Sequence, residues 1–191
     1  MLSLRTVTPD TLELLKALMS APELLSLRLV GGTALALQYG HRVSVDLDLF
    51  GEVTIDKFEL LSLLQGLGEV RVINETKNIH QYFVNGIKVD IVNYPYSWID
   101  GPVEEDSIRL ASPKDIAALK INAIEGRGTK KDFIDMHLLL QHYSLEEILT
   151  FYQQKYPDYS IFRALRSLTY FDDANDQIMP QMFVEDTWEE M

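Results

Sequence analysis

Apolar residues recur with a helical period from Pro9 to Met19, give way to short apolar or alternating runs through the middle of the chain, and return to a helical period from Ser112 onward. The first stretch predicts a helix over residues 9–19, with Thr8 or Asp10 as its cap. Leu27–Val30 is a short apolar strand, broken by Gly31-Gly32, and Thr33–Tyr39 reads as a helix. Ser44–Phe50 alternates and reads as a strand, and Asp56–Gln65 as a helix opened by Thr54 or Asp56. Three strands follow, Glu69–Glu75, Ile79–Val84 and Ile87–Asn93, the last two joined by the hairpin signal Asn85-Gly86. Ser107–Leu110 predicts one more short strand.

Ser112-Pro113 supplies an N-cap and first-turn proline for a helix running to Glu125 and stopped by Gly126-Arg127-Gly128. Thr129 opens a second, to about Tyr143, and Ser144 with Glu147 forms a capping box for a third. A fourth spans Ser160–Leu168. Tyr170–Met191 carries seven acidic residues and no Lys or Arg, and is expected to pack weakly or fray. The pattern is α+β: a mixed α/β core over 1–111 and a helical region over 112–191, separate or joined in one compact unit.

Composition narrows the function classes. The 191 residues include 17 Lys+Arg and 29 Asp+Glu, a formal charge of −12. Such a chain does not draw nucleic acid by its overall field, so any contact with it needs a local basic patch. The absence of cysteine excludes disulfides and thiolate metal sites and fits a reducing cytoplasm. No run approaches the roughly 18 apolar residues of a membrane span, and no signal peptide is apparent; a cytoplasmic location is expected.

The Ser44–Phe50 strand holds the first candidate chemistry. Alternation sends Val45, Leu47 and Leu49 to one face and Asp46 and Asp48 to the other, their Cα atoms roughly 6.6 Å apart. Asp suits strands poorly, and two on one face repel unless a cation or proton intervenes. Hard oxygen donors at this spacing suit Mg²⁺ against a substrate phosphate, although a solvent-facing strand edge is the plainer reading of the pair alone. Gly31-Gly32-Thr33 lies between a strand and a helix, where glycines admit a phosphate to free N–H groups, or simply make a tight turn. Asp90, in the apolar run Ile87–Val92, is a third carboxylate, for a metal ion or for an edge strand on which Lys88 and Asp90 face water. Arg42 precedes the acid strand and is placed either for phosphate or for pairing with an Asp.

In the helical half, Lys120 falls among Ile116, Leu119, Ala123 and Ile124, where its ammonium either snorkels or reaches into a cleft. Lys114, Lys120, Arg127, Lys130 and Lys131 place five of the 17 basic residues within 18 positions. This cluster suits triphosphate, an RNA backbone or a solvated helix entrance. Asp132 fits a capping role after Thr129, whereas Asp135 sits among Phe133, Ile134, Met136 and Leu138 with no such account. His137 and His142 read as ordinary helix residues.

Taken together, Gly31–Leu37, His41–Phe50, Lys88–Val92, Ser112–Lys120 and Arg127–Asp135 resemble the AbiEii/AbiGii toxin family of nucleotidyltransferases, within the DNA polymerase β-like superfamily. The resemblance covers roughly residues 27–140. It implies a nucleotidyltransferase-like mixed sheet flanked by helices. It implies Gly31, Gly32, Thr33, Arg42, Lys120, Lys131 and Asp132 at the nucleotide, Asp46, Asp48 and Asp90 at Mg²⁺ or Mn²⁺, and Asp48, Asp90, Lys120 and Asp135 as catalytic. It also implies an NTP substrate, an RNA acceptor such as tRNA, and an antitoxin partner in a type IV system. A protein or small-molecule acceptor, and a binding module without turnover, are the other readings of the same residues.

Overall fold

The computed structural model describes residues 1–191. Seven strands form one mixed sheet in the order β3-β4-β5-β2-β1-β7-β6. They are β1 (Arg28–Leu29), β2 (Leu47–Gly51), β3 (Val70–Glu75), β4 (Ile79–Val84), β5 (Ile87–Asn93), β6 (Val103–Glu105) and β7 (Ile108–Leu110). The eight α-helices are α1 (Pro9–Ser20), α2 (Gly31–Tyr39), α3 (Lys57–Gln65), α4 (Pro113–Gly126), α5 (Lys130–Leu140), α6 (Leu145–Lys155), α7 (Ile161–Leu168) and α8 (Asp172–Asn175).

Local chemistry accounts for most boundaries. Thr8 caps α1, Asp56 and Glu59 form a capping box on α3, and Ser112 caps α4 ahead of Pro113. Asn85 and Gly86 both take positive φ, the requirement of a two-residue hairpin turn, and this sets β4 against β5 with Gln81 opposite Asp90. Leu47 and Leu49 on β2, and Val89 and Ile91 on β5, are fully or almost fully buried on one face, in the period of two expected.

Three expectations are revised. The acid strand begins at Leu47, not Ser44, so Val45 escapes the alternation and is 46% exposed. The preceding segment is held instead by Thr33, whose hydroxyl bonds Ser44 Oγ at 2.8 Å and the Asp46 carbonyl at 2.5 Å. Helix α2 begins at Gly31, so the glycines are its first turn rather than a break before it. β6, absent from the sequence pattern, pairs antiparallel with β7.

Residues from both halves share one hydrophobic core, in which Leu47, Val89 and Ile91 of the sheet join Ile116, Ile121, Met136 and Tyr152 of the helices. A buried ion pair ties α6 to α4: Lys155 Nζ lies 2.8 Å from Asp115 Oδ1 and also bonds the Ser97 carbonyl. The acidic tail packs as well. Val43 and Phe183 exchange backbone bonds with Gln181 and His41, and Trp188 stacks edge-on to Phe133 with Lys130 above its ring.

Candidate active site

β2 and β5 run parallel and in register, placing Asp48 directly beside Asp90 on the face opposite the core. The like charges and burial act together. Burial first, and then the Asp90 carboxylate, push the Asp48 carboxyl up to about 6. Asp90 is a central-strand residue, not an edge one, since β5 lies between β4 and β2. Its Oδ2 accepts from Lys88 Nζ at 2.7 Å and from Gln81 Nε2 at 2.9 Å, while Oδ1 is buried without a partner.

A cleft of about 360 Å³ opens above this pair, lined among others by Gly31, Gly32, Asp48, Asp90, Lys120 and Arg127. Gly31 takes φ +66° at the start of α2, and a Cβ there would stand 2.8 Å from Asp48 Oδ2. Only glycine lets the helix N-terminus, with its free N–H groups, come this close to the carboxylate. A second, larger cavity of about 840 Å³ lies between α5, α7 and the tail. Its lining is mostly apolar and includes none of the cleft acids, so the smaller cleft is the chemical one.

The remaining acids form a separate cluster under the wall of the cleft. Asp135 is completely buried and accepts from Arg42 through both oxygens, Nε–Oδ1 at 2.7 Å and Nη2–Oδ2 at 2.8 Å. His41 Nε2 adds a contact at 2.8 Å and Lys120 Nζ one at 2.5 Å. Asp132 takes Lys120 Nζ at 3.1 Å, Arg127 Nε at 3.0 Å and Thr129 Oγ1 at 2.7 Å. Burial would raise both carboxyls, but the Lys120 ammonium with Arg42, or with Arg127, outweighs it and holds both well below the carboxylate range. Gly32 belongs to this cluster: any Cβ on it would collide with the Arg42 guanidinium and crowd Asp135.

The residues singled out by sequence therefore divide. Gly31, Gly32, Asp48, Asp90 and Lys120 meet in the cleft. Thr33 and Arg42 are buried and engaged elsewhere, Asp132 and Asp135 form the supporting cluster, and Lys131 is exposed on α5. Asp46 precedes the strand and does not line the cleft. No group of three or more Asp, Glu or His side chains converges on one metal position, and Asp90 is hydrogen-bonded to Lys88 and Gln81. Sequence reading passed over Gln81, although the hairpin register that places it opposite Asp90 follows from Asn85-Gly86.

The course of the sheet and helices is that of the nucleotidyltransferases. ANT(2")-Ia, crystallised with adenylyl-2"-tobramycin, aligns with a TM-score of 0.61 at 17% identity, over 80% of this chain and 100% of that one. MenT4, a nucleotidyltransferase toxin of Mycobacterium tuberculosis H37Rv, aligns at 0.51 and 14% identity, over 75% and 62%. JHP933 from Helicobacter pylori aligns at 0.52 and 18%, over 85% and 90%. In sequence, the uncharacterized protein aq_aa25 of Aquifex aeolicus (strain VF5) is 34% identical over 169 residues, 85% of this chain and 81% of that protein. Residues 13–191 match the family model of the nucleotidyl transferase AbiEii toxin, type IV TA system, and the chain belongs to that family. It is a nucleotidyltransferase enzyme of the toxin type. No helix is long and apolar enough to cross a membrane.

Proposed function

We propose that the protein transfers a nucleoside monophosphate from an NTP to RNA, tRNA being the favoured acceptor, and that it does so as the toxin of a type IV pair. The observation that carries the reading is the in-register pair Asp48 and Asp90 under the Gly31 turn. Two adjacent carboxylates, one pushed up in pKa by burial and by the other's charge, and one with an orphaned buried oxygen, are a donor set that fits Mg²⁺ or Mn²⁺. A bound divalent cation there neutralises triphosphate charge. Asp48 and Asp90 would hold it, while Asp46 lies outside the cleft lining.

The chain's own residues do the rest. The free N–H groups at the start of α2 receive phosphate oxygens, as Gly31 permits. Lys120 lends its ammonium to the cleft wall. Asp90 accepts the proton of the acceptor hydroxyl as that oxygen bonds the α-phosphorus, and the bond from the α-phosphorus to the bridging oxygen breaks to release pyrophosphate.

Incubation with α-labelled NTPs, Mg²⁺ and total RNA tests this. Labelled RNA that disappears with EDTA or with Asp48→Ala is the expected result. Label appearing only in protein or in an added aminoglycoside would overturn the RNA assignment. Label nowhere, with every NTP, would overturn transfer itself.

A further inference from the structure

Beside the catalytic cleft lies a second polar cavity of about 510 Å³, between the C-terminal end of α4 and the end of α7. Gly126 and Arg127 line both spaces, so the two are neighbours across a single side chain. Only two of its ten lining residues are apolar, and its size falls in the range of small-ligand sites. Whatever occupies it lies next to the Asp48–Asp90 pair, where an acceptor must lie.

The polar groups choose among acceptors. The acids of this cavity are only partly engaged. Glu125 Oε2 accepts from Tyr152 Oη at 2.6 Å while its Oε1 is buried without a partner, and the negative charge of Asp173 holds the Tyr170 hydroxyl's titration up. The guanidinium of Arg166 is exposed and forms no ion pair or hydrogen bond. Arg127 gives Nε and Nη2 to Asp132 and keeps Nη1 free. Tyr170 presents a ring that is 54% exposed, and Ser167 and Thr169 add hydroxyls. The free Arg166 guanidinium and the spare Arg127 Nη1, flanking an open aromatic face, suit phosphate plus a stacked base. A polycationic small molecule would instead meet the unpaired Arg166 cation.

We propose that this cavity is the acceptor subsite and that it seats the single-stranded end of an RNA, its phosphate between Arg127 and Arg166 and a base on Tyr170. The proposal rests on the transferase reading above and names the surface that selects its acceptor. Arg166 and Tyr170 position the RNA and touch no NTP.

Two measurements separate the proposal from that reading. The first is binding of a fluorescent single-stranded RNA oligonucleotide by anisotropy, which needs no turnover. Wild type binds; Arg166→Ala weakens binding about fivefold or more and lowers the salt slope by roughly 0.7, the value for one single-strand phosphate contact. Tyr170→Ala weakens it comparably, and Tyr170→Phe retains it. The second is NTP binding by calorimetry, which both alanine variants leave at the wild-type value. Wild type that binds NTP but no RNA, or alanine variants that bind RNA as wild type does, overturn the subsite and leave the nucleotide site standing. Wild type that binds RNA but transfers no nucleotide overturns the transferase reading instead.

Discussion

Asp48 and Asp135 flank the same glycine pair and live under opposite electrostatics. Asp48 stands beside Asp90, open to the cleft, and burial with a like charge raises its pKa to about 6. Asp135 is sealed among Arg42, His41 and Lys120 and is held well below the carboxylate range. Gly31 leans on the first acid and Gly32 on the second. The first turn of α2 is thus clamped between a destabilised pair and a neutralised network. A group whose charge the fold disfavours is available for a cation or a proton; a group already satisfied by two cations and a histidine is not. On the proposed function, the difference gives the chemistry to Asp48 and Asp90, and leaves Asp135 holding Lys120 and the loop before β2 in place.

The largest expected effect breaks this contrast outright. Asp135→Ala leaves Arg42 charged and buried without its partner and Lys120 with Asp132 alone, and should destabilise the protein by about 3–5 kcal/mol. Asp48→Ala should do the reverse: transfer activity falls by roughly 10³-fold or more, about 4 kcal/mol at 1.36 kcal/mol per tenfold, with stability unchanged or improved. Urea unfolding alongside a labelling assay reads both. If Asp48→Ala unfolds early and Asp135→Ala stays stable yet inactive, the two roles are exchanged.

Next in size is the pH dependence of stability, measured with EDTA present. Asp48 binds its proton more tightly folded than unfolded, so its contribution to stability is fully present below the unfolded pKa near 4. That contribution is lost as pH rises through about 6. Asp132 and Asp135 are depressed, so their contribution is present above pH 4 and fades as pH falls below it. Stability should therefore peak between about pH 4 and 6. Asp48→Asn should flatten the alkaline limb by about 1–3 kcal/mol and leave the acid limb intact. A variant whose decline from pH 5 to 8 matches wild type would place the titration elsewhere.

Much of this architecture was legible in the chain, for identifiable reasons. Caps such as Thr8, Asp56 and Ser112 act locally, so their helices could be read from neighbours in sequence. The Asn85-Gly86 turn fixes register two strands deep, and the run Lys88–Val92 kept its period. What stayed hidden depends on distant partners. Arg42 could be matched to an Asp but not to Asp135, 93 positions away. The strand period failed at Val45 because Thr33 fastens that segment from another element. The tail, which its charge marked as loose, is held by backbone bonds to His41 and Val43 and by Trp188 on Phe133. Aromatic burial and pairing across the fold leave no trace in composition.

Gly31→Ala sharpens the comparison at the point where its two sides meet. Alanine at φ +66° costs about 1–2 kcal/mol, and its Cβ would stand 2.8 Å from Asp48 Oδ2. The stability loss should accordingly be smaller than that of Asp135→Ala, while activity falls nearly as far as in Asp48→Ala. KM for the NTP should also rise, because on the proposed function the α2 N-terminus receives the triphosphate whose charge a cation held by Asp48 would neutralise.

The smallest effect belongs to one of the two lysines assigned by sequence to the nucleotide, and the other sets its scale. Lys120 is buried between Asp132 and Asp135, so Lys120→Met should cost several kcal/mol as well as activity, since two buried carboxylates lose their shared ammonium. Lys131 is exposed on α5, outside the cleft lining and without an ion pair. Lys131→Ala should change stability by no more than about 0.5 kcal/mol. If Lys131 reaches the triphosphate only as a distant, solvent-screened charge, the same substitution raises KM for the NTP less than about threefold, and the increase vanishes in 0.5 M salt, where the Debye length is roughly 4 Å. An increase that persists at that ionic strength would mean that the lysine closes onto the phosphates when the nucleotide binds, and would return it to the site beside Lys120.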